Sequence, residues 1–316
     1  MSALLTGRVL ASGLTDFLGD AVDLQVQVDS IGLGAVFALM AVGIGLVFGV
    51  LRLVNFAYGQ LIMAGGFALA FASERGWPVA VGIVLCVVVV LALSLAMERA
   101  VFRPLRGQSP AVMLIATFAV AFLLQSIALL WFGPLGKTAA TLADLNRPVS
   151  LGDVEVRKIT IVAIVAAAVC LGLLVLLLNR TSIGLHMRAA AMDFHTARLV
   201  GVRANLVSAV AVLVAGALAA VVAVILTVQY PTVTPTFALR ETITVLAGVV
   251  VGGMTRLLPA TLGGFAIGYV SGILGGALPT AQSQYLPSFV FGLVILVLLV
   301  RPGGLFTRGG QAVERV

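Results

Sequence analysis

The sequence is poor in charged residues. Only 10% of its 316 residues are Asp, Glu, Lys or Arg, whereas 61% are hydrophobic and the mean hydropathy is +1.19. Soluble domains carry about 25% charged residues, so this chain has too few to cover a surface that faces water. It is also too apolar to stay disordered. The composition predicts an all-α, polytopic membrane protein.

Residues that build catalytic and metal sites are also scarce. Only two histidines occur, His186 and His195, and there is no His-x-x-x-His, Glu-x-x-His or Gly-x-Ser-x-Gly motif. Cys86 and Cys170 both lie in apolar runs, where a packing role is commoner than a disulfide or a metal site. We therefore predict a protein that is not an enzyme, with no catalytic residues and no metal site.

A nucleotide-binding loop is missing as well. The pattern Gly-x-x-x-x-Gly-Lys-[Ser/Thr], whose backbone amides cradle phosphates, does not occur. Any ATP-driven function therefore requires a partner that supplies the ATP site. The net charge of +7 is dispersed in short segments between apolar runs, a pattern that favours a membrane over nucleic acid as the partner.

Long apolar runs are what the sequence has in abundance. We expect about 8–10 membrane crossings at roughly 20 residues each. Nine runs are candidates: 31–51, 57–72, 78–97, 110–132, 159–178, 206–228, 241–258, 259–276 and 286–300. The run 57–72 is short, and the seventh and eighth runs are split at Arg256 and Pro259. These interruptions predict half-spanning or broken helices, which are tolerated at membrane depth only inside protein or beside a cavity.

The chain divides into three parts. Residues 1–30 lack the apolar core of a signal peptide, and their pattern predicts an amphipathic N-terminal segment on the membrane surface. Four apolar residues recur there at helical spacing: Leu14, Phe17, Leu18 and Val22. Residues 31–306 form the transmembrane domain, and residues 307–316 form a cytoplasmic tail.

The placement of Lys and Arg predicts an N-terminus outside and a C-terminus in the cytoplasm. Twelve basic residues then face the cytoplasm: Arg52, Arg99, Arg103, Arg106, Arg180, Arg188, Arg198, Arg203, Arg256, Arg301, Arg308 and Arg315. Seven face the outside: Arg8, Arg75, Lys137, Arg147, Arg157, Lys158 and Arg240. The outside segment 133–158 alternates apolar and polar residues around Val149, Leu151, Val154 and Val156, which predicts a small hairpin.

Glycines recur at helical spacing near the C-terminal end. Gly264, Gly268, Gly272 and Gly276 fall every fourth residue, so a helix would present them as one groove without side chains. Such a groove lets a neighbouring backbone approach closely. Two interpretations stay open, namely ordinary tight packing and a surface along which helices slide.

Two polar groups interrupt the apolar runs. Asn55, Tyr58 and Gln60 open the second run, where they either line a pathway or, for Asn55, cap the next helix. Glu241 and Thr242 open the seventh run, which two prolines precede. A carboxylate suits a helix N-terminus because of the helix dipole, so Glu241 either serves that dipole or faces a central pathway.

Residues 179–205 form a charged loop with a predicted short helix. Residues 186–200 are rich in Ala, Met, Arg and Leu, which favour helix. Thr181 or Ser182 can cap its start, and Gly201 can end it. One stripe of this helix is mixed apolar and basic: Met187, Ala191, Phe194 and Arg198. The helix either docks into a groove on a partner or lies on lipid headgroups.

Five motifs in order resemble those of the permease subunits of ABC importers for branched-chain and other hydrophobic amino acids, over roughly residues 31–306. The motifs are NFAYGQ (55–60), ERAVFRPLRG (98–107), a coupling loop, the paired glycines Gly252-Gly253 and Gly263-Gly264, and Arg301-Pro302-x-Gly. The coupling-loop matches are Gly184, Arg188, Ala189, Asp193, Ala197 and Gly201. Gly252-Gly253-Met254-Thr255-Arg256 departs from the family pattern, which usually reads Gly-Gly-Ile-Gly-Ser.

The resemblance implies the ABC importer permease fold in a bacterial inner membrane. It implies a second related permease, two cytoplasmic ATPases that hold ATP and Mg²⁺, and an extracytoplasmic solute-binding protein. ATPase coupling would fall to the six matched residues and Phe194, and the pathway to Asn55, Tyr58, Gln60, Glu241 and Thr242. Permeases for urea, short amides or sugars are alternatives. An ion-coupled secondary transporter is a further alternative.

Overall fold

The computed structural model describes residues 23–139, 142–151, 154–199, 201–254, 256–279, 282–301 and 304–305. The predicted C-terminal tail and the four apolar residues of the predicted amphipathic segment lie outside the described residues.

Helices make up most of the described chain. They are α1 (Leu24–Leu51), α2 (Tyr58–Glu74), α3 (Val79–Met97, continued by a π-helical turn Glu98–Phe102), α4 (Pro110–Phe132), α5 (Lys158–Arg180), α6 (Ser182–Met192), α7 (Phe194–Leu199), α8 (Ala204–Gln229), α9 (Leu239–Gly252), α10 (Leu257–Ala277) and α11 (Leu286–Val300). Short strands are β1 (Lys137–Thr138), β2 (Pro148–Leu151), β3 (Val154–Arg157) and β4 (Thr232–Val233), and 3₁₀ turns cover Ala143–Asn146 and Ser283–Tyr285.

Seven of the described helices are long and apolar enough to cross a bilayer: α1, α3, α4, α5, α8, α10 and α11. The other two apolar helices are short. α2 has 17 residues and α9 has 14, or about 26 and 21 Å at 1.5 Å per residue, less than the roughly 30 Å of a hydrocarbon core. The nine predicted apolar runs therefore correspond to nine helices in the part of the chain that the structure describes, and the architecture is that of a polytopic, all-α membrane protein.

Two helix ends differ from the predicted runs for local reasons. α1 begins at Leu24, well before the predicted position 31, because the carboxylate of Asp23 accepts a hydrogen bond from the Gln25 amide (3.1 Å) and caps the helix. α9 ends at Gly252, before the predicted position 258. Gly253 has a φ of 112°, which glycine adopts without strain, and this turn separates α9 from α10.

α1 occupies the centre of the bundle. In its most apolar stretch 83% of the residues are buried, and in α8 61% are, whereas the corresponding share is 22% or less in α3, α4, α5 and α11. α1 packs against α10, α8, α5 and α9. The four poorly buried helices therefore leave apolar side chains on the outside, as a lipid-facing surface requires.

The contact between α10 and α1 is built on glycine. A Cβ added at Gly268 would lie 2.8 Å from the Cα of Gly34, and one at Gly272 would lie 2.6 Å from the Cα of Ser30. Gly276 lies equally close to Val26, and Gly264 faces Ala41. No side chain larger than hydrogen fits at these positions, so the two backbones approach closely along the whole contact.

The bundle has two faces, which are named here by what they carry. The hairpin face carries β2 and β3, whose antiparallel pairing, with Val149 opposite Val156, confirms the predicted hairpin. There the side chain of Gln25, at the start of α1, exchanges hydrogen bonds with the backbone of Glu155 (2.7 and 2.9 Å). The α6–α7 face lies at the other end of α1, where the Arg52 guanidinium donates to the carbonyl of Ala191 (2.7 Å).

Candidate functional site

α2 begins inside the bundle rather than at a face. The ring of Tyr58 packs on Gly43, eight residues before α1 ends, which is about 12 Å along the helix axis. The hydroxyl of Thr117, on the second turn of α4, donates to the carbonyl of Val54 (3.2 Å). The chain therefore leaves α1 at the α6–α7 face and runs back into the bundle before α2 starts.

α9 also begins inside the bundle, beside the start of α2. A Cβ added at Gly59 would lie 2.5 Å from the Thr242 hydroxyl oxygen and 3.0 Å from the Ala238 carbonyl oxygen. Farther along α2, one at Gly66 would lie 3.1 Å from the side chain of Val233. Residues 234–238 thus follow α2 inwards without forming a helix. The two short helices start side by side and run to opposite faces, an arrangement of broken helices that is typical of transporter binding sites.

Four of the five predicted pathway residues are buried at this α2–α9 junction. Asn55 accepts a hydrogen bond from the Ala57 amide (3.0 Å) in the turn before α2. The N-cap position of α2 is Ala57, and no side chain caps it, so the structure does not show Asn55 as the cap. Thr242 donates to the Ala238 carbonyl (2.6 Å). The Tyr58 hydroxyl and the Gln60 carbonyl oxygen are buried without a hydrogen-bond partner among the described residues. Burying such a group without a partner costs about 1–3 kcal/mol of stability. The junction therefore keeps two polar atoms that are available for a hydrogen bond.

Glu241, the fifth predicted pathway residue, faces a separate space, here called the inner cavity. It has a volume of about 140 Å³ and lies between α1, α8, α9, α10 and α11. Its walls combine polar and apolar residues: Leu33, Phe37, Leu226, Tyr230, Arg240, Glu241, Thr244, Ser271, Leu286, Pro287 and Val290. One carboxylate oxygen of Glu241 is buried and has no hydrogen-bond partner among the described residues.

An outer cavity of about 400 Å³ adjoins the inner one on the side of the hairpin face. The two cavities share four lining residues: Leu33, Tyr230, Ser271 and Leu286. The outer cavity adds Asp29, Arg157 and Thr160. The shared residues place the two cavities side by side between the hairpin face and Glu241, and their walls offer carboxylates, guanidinium groups, hydroxyls and apolar side chains. This combination suits a small molecule that carries both charges and an apolar group.

The predicted single helix over 186–200 is wrong, because the structure has two helices that meet at Asp193. The backbone of Asp193 is extended (φ −150°, ψ 109°). Its carboxylate accepts hydrogen bonds from the amide and the hydroxyl of Thr196, so it caps the start of α7. Thr181 caps α6 as predicted, through the Gly184 amide (3.0 Å). The predicted stripe is therefore not continuous.

The predicted coupling residues fall into two groups. Gly184 and Ala197 are buried, and Gly184 lies against the last turn of α5, where a Cβ would overlap the Leu177 carbonyl. Arg188 and Asp193 are exposed, and Ala189 is half-buried. Gly201 has a φ of 91° and ends the segment. The side chain of Phe194 lies outside the described residues.

Sequence reasoning missed the apolar side chains that α6 and α7 present outwards. Leu185, Met192 and Leu199 are 58%, 87% and 76% exposed, whereas Met187 of the predicted stripe is only 1% exposed. Leu185 and Met192 are seven positions apart, which is the spacing of one helix face within α6 and could have identified them, whereas Leu199 lies on α7 beyond the break. All three sit on short, charged helices that cannot cross a bilayer, which leaves both a partner groove and the membrane surface as their neighbour.

Residues suited to metal binding do not cluster in the described part of the chain: no group of three or more His, Cys, Asp or Glu side chains is placed to hold an ion. Cys86 is buried, Cys170 is half-buried, and both are free thiols.

Residues 27–299 match the family described as the permease component of branched-chain amino acid transport systems. The chain belongs to this family. The permease is 30% identical over 305 residues to the high-affinity branched-chain amino acid transport system permease protein BraD of Pseudomonas aeruginosa, with 93% of this chain and 98% of the relative covered. It is 28% identical to the LivH permease protein of Escherichia coli K12, with 93% and 97% covered. The resemblance inferred from the five motifs is confirmed.

Solved structures share the fold of the permease. PsaBC from Streptococcus pneumoniae, in complex with Fab, aligns with a TM-score of 0.50 at 11% identity and with 92% of this chain and 97% of that chain covered. A metal-chelate type ABC transporter in an inward-facing conformation aligns with a TM-score of 0.50 at 17% identity, with 93% and 99% covered. At these identities the likeness concerns the fold of an ABC transporter permease.

Proposed function

We propose that this permease carries branched-chain or other hydrophobic amino acids across the inner membrane as one of two related permease subunits of an ABC importer. The observation that carries the proposal is the inner cavity beside the start of α9. An amino acid has an ammonium group for the unpartnered oxygen of Glu241, and a carboxylate for Arg240. The apolar wall of Phe37, Leu226 and Val290 suits a branched side chain.

The docking helices α6 and α7 are the proposed contact with two partner ATPases, which hold ATP and Mg²⁺. The exposed side chains of Leu185, Met192 and Leu199 support this role, since a helix with an apolar face fits a groove on a partner. Arg188 and Asp193 lie exposed among them. Gly184 and Ala197 are buried, so they pack beneath that face and support it.

The α6–α7 face is proposed to be cytoplasmic, with the N-terminus outside and the C-terminus inside. Most of the described arginines between helices lie on this face, which agrees with the excess of basic residues in cytoplasmic loops. The hairpin face then opens to the extracytoplasmic side, where the outer cavity can receive substrate from a solute-binding protein.

Substrate delivered to the outer cavity moves to the inner cavity, where Glu241 and Arg240 hold its charges. Closure of the ATPases pulls the docking helices of the two permeases together and moves the bundle to its inward-open state. The α10–α1 contact, which has no side chains to interlock, is the proposed sliding surface. ATP needs only to bias two states of the bundle by a few kcal/mol.

The test is reconstitution in vesicles of the complete importer and, separately, of this chain alone. We expect the complete importer to accumulate labelled leucine with ATP, with inhibition by vanadate and not by a proton uncoupler. Unlabelled isoleucine and valine should compete, and urea and glucose should not. Uphill transport by this chain alone, or transport abolished by the uncoupler, would refute the ATP-driven proposal. Competition by urea or glucose would refute the amino acid assignment.

A further inference from the structure

The α6–α7 face holds a cavity of about 1000 Å³, here called the arginine cavity, that the transport proposal does not use. It lies where α1 ends, where the loop before α4 turns, and where α8 begins. Four arginines line it: Arg52, Arg103, Arg106 and Arg203. Its remaining lining residues are Val50, Leu51, Gly107, Ala204, Asn205 and Leu206, so the described lining contains no carboxylate.

Two of the four arginines are held by the protein itself. Arg106 contacts the carboxylate of the buried Glu98 (3.3 Å) and donates to the side chain of Asn205 (2.7 Å). Arg52 donates to a backbone carbonyl on α6. The guanidinium groups of Arg103 and Arg203 are exposed and make no hydrogen bond or ion pair with the described residues. Among the described residues, Glu98 is the acid that pairs with one of these arginines and balances one charge, so the described part of the cavity keeps an excess of positive charge.

The start of α8 adds to this positive field. α8 is 26 residues long, and its N-terminal residues Ala204, Asn205 and Leu206 line the cavity. No side chain caps this end of the helix. The free amides and the positive end of the helix dipole favour an anion at such a position. Guanidinium groups around it offer paired donors for the oxygens of a phosphate.

The depth and the surroundings of the cavity point to a lipid rather than to a free anion. α1 ends and α8 begins at its rim, so it lies at the level where the hydrocarbon core meets the headgroups. An adjoining side pocket of about 150 Å³ shares Arg52 and Arg106 with it. The walls of this side pocket add Leu53, Phe102 and Met113. A strongly charged space beside a pocket whose walls are partly apolar fits a molecule with a phosphate and an acyl chain.

We propose that the arginine cavity binds the phosphate of an anionic phospholipid in the leaflet at the α6–α7 face, with part of an acyl chain in the side pocket. Basic pockets between membrane helices recognise headgroups in this way. The site is separate from the inner cavity, and its occupancy does not depend on which solute the permease carries. Because Arg52 also contacts α6, the bound lipid lies directly behind the docking helices.

The test measures lipid retained by the purified complete importer, using native mass spectrometry after exchange into phosphatidylglycerol or phosphatidylcholine. The variant is Arg103→Gln with Arg203→Gln, since neither guanidinium has a partner in the described protein whose loss would unfold it. The control is Arg75→Gln with Arg147→Gln, two exposed arginines near the hairpin face that each contact a residue of their own segment, Phe71 and Asp144. Elution volume and melting temperature in phosphatidylcholine check that each variant is folded.

We expect the wild type and the control to retain phosphatidylglycerol over phosphatidylcholine. The double variant should lose phosphatidylglycerol by about 25-fold, since each basic side chain near an anionic headgroup contributes about fivefold. Equal retention by the variant and the wild type would overturn the proposal. So would displacement of the lipid by millimolar inorganic phosphate, which would identify a free-anion site. Loss of the ATPase subunits with unchanged lipid retention would assign these arginines to a protein interface instead, and would also overturn it.

Discussion

The inner cavity and the arginine cavity differ in how their charges are balanced. The inner cavity sets Glu241 beside Arg240, so both signs are present within a small volume. The arginine cavity sets four cations together, with Glu98 as the nearby counter-charge. A space with both signs suits a ligand with no net charge, which can arrive and leave. A space with one sign suits an anion that stays, because removing the anion restores the repulsion between the cations.

The largest expected effect comes from Glu241→Gln, which removes the carboxylate from the inner cavity while keeping its shape. A hydrogen bond to a charged group contributes about 1.5–3 kcal/mol, so leucine uptake by the complete importer should fall by roughly ten- to a hundredfold. Retained phosphatidylglycerol should not change.

The control is Glu74→Gln, whose carboxylate pairs with Lys137 near the hairpin face and is 43% exposed. Uptake by Glu241→Gln within twofold of the wild-type rate would show that Glu241 serves only the start of α9. The functional distinction between the two cavities would then be lost.

A smaller effect is expected from Gly272→Leu, which inserts a side chain between α10 and α1 beside the outer cavity. Overpacking costs about 1–3 kcal/mol, so the melting temperature should drop and uptake should fall by about tenfold. α10 contributes no residue to the described lining of the arginine cavity, so lipid retention should stay at the wild-type level.

Gly292→Leu is the matched control for the Gly272→Leu substitution, because a Cβ at position 292 in α11 has no atom within 4 Å. If both substitutions lower uptake equally, the loss reflects a general defect in insertion, and the α10–α1 contact has no special role.

The smallest effect is expected from Asp193→Ala, which removes the cap of α7 without touching either cavity. Loss of an N-cap costs about 1 kcal/mol, or roughly a fivefold change in the fraction of α7 that is folded. The complete importer should still hydrolyse ATP but transport about fivefold less leucine for each ATP. Asp144→Ala, an exposed acid near the hairpin face, serves as the control, and an unchanged ratio in Asp193→Ala would remove α7 from the coupling mechanism.

The crossing helices were predictable because their signal is local. An apolar run can be recognised without knowledge of its neighbours, and the nine predicted runs correspond to nine described helices, seven of them long enough to span a bilayer. The glycine spacing around Gly268 likewise predicted a close helix contact, although only the structure identifies α1 as the neighbour. The hairpin was predictable from the alternation of apolar and polar residues around Val149.

The depth at which α2 and α9 start, and their position beside each other, were not predictable. The short run 57–72 predicted a half-spanning or broken helix, but nothing in residues 52–57 shows how deep in the bundle α2 starts. Nothing near Leu239 indicates that α9 starts beside Gly59. The break at Asp193 was missed because strong helix formers surround it. The arginine cavity draws its four cations from three distant segments, so no sequence window contains it.

The central position of α1 has a consequence for biosynthesis. The helix it contacts most is α10, and 206 positions separate Leu51 from Leu257. At about 5–20 residues per second, a ribosome takes roughly ten to forty seconds to make that stretch. During this time the side of α1 that will contact the glycines of α10 faces lipid or an insertion factor instead of its final neighbour. Chains cut short before α10 should therefore be cleared by membrane proteases soon after release.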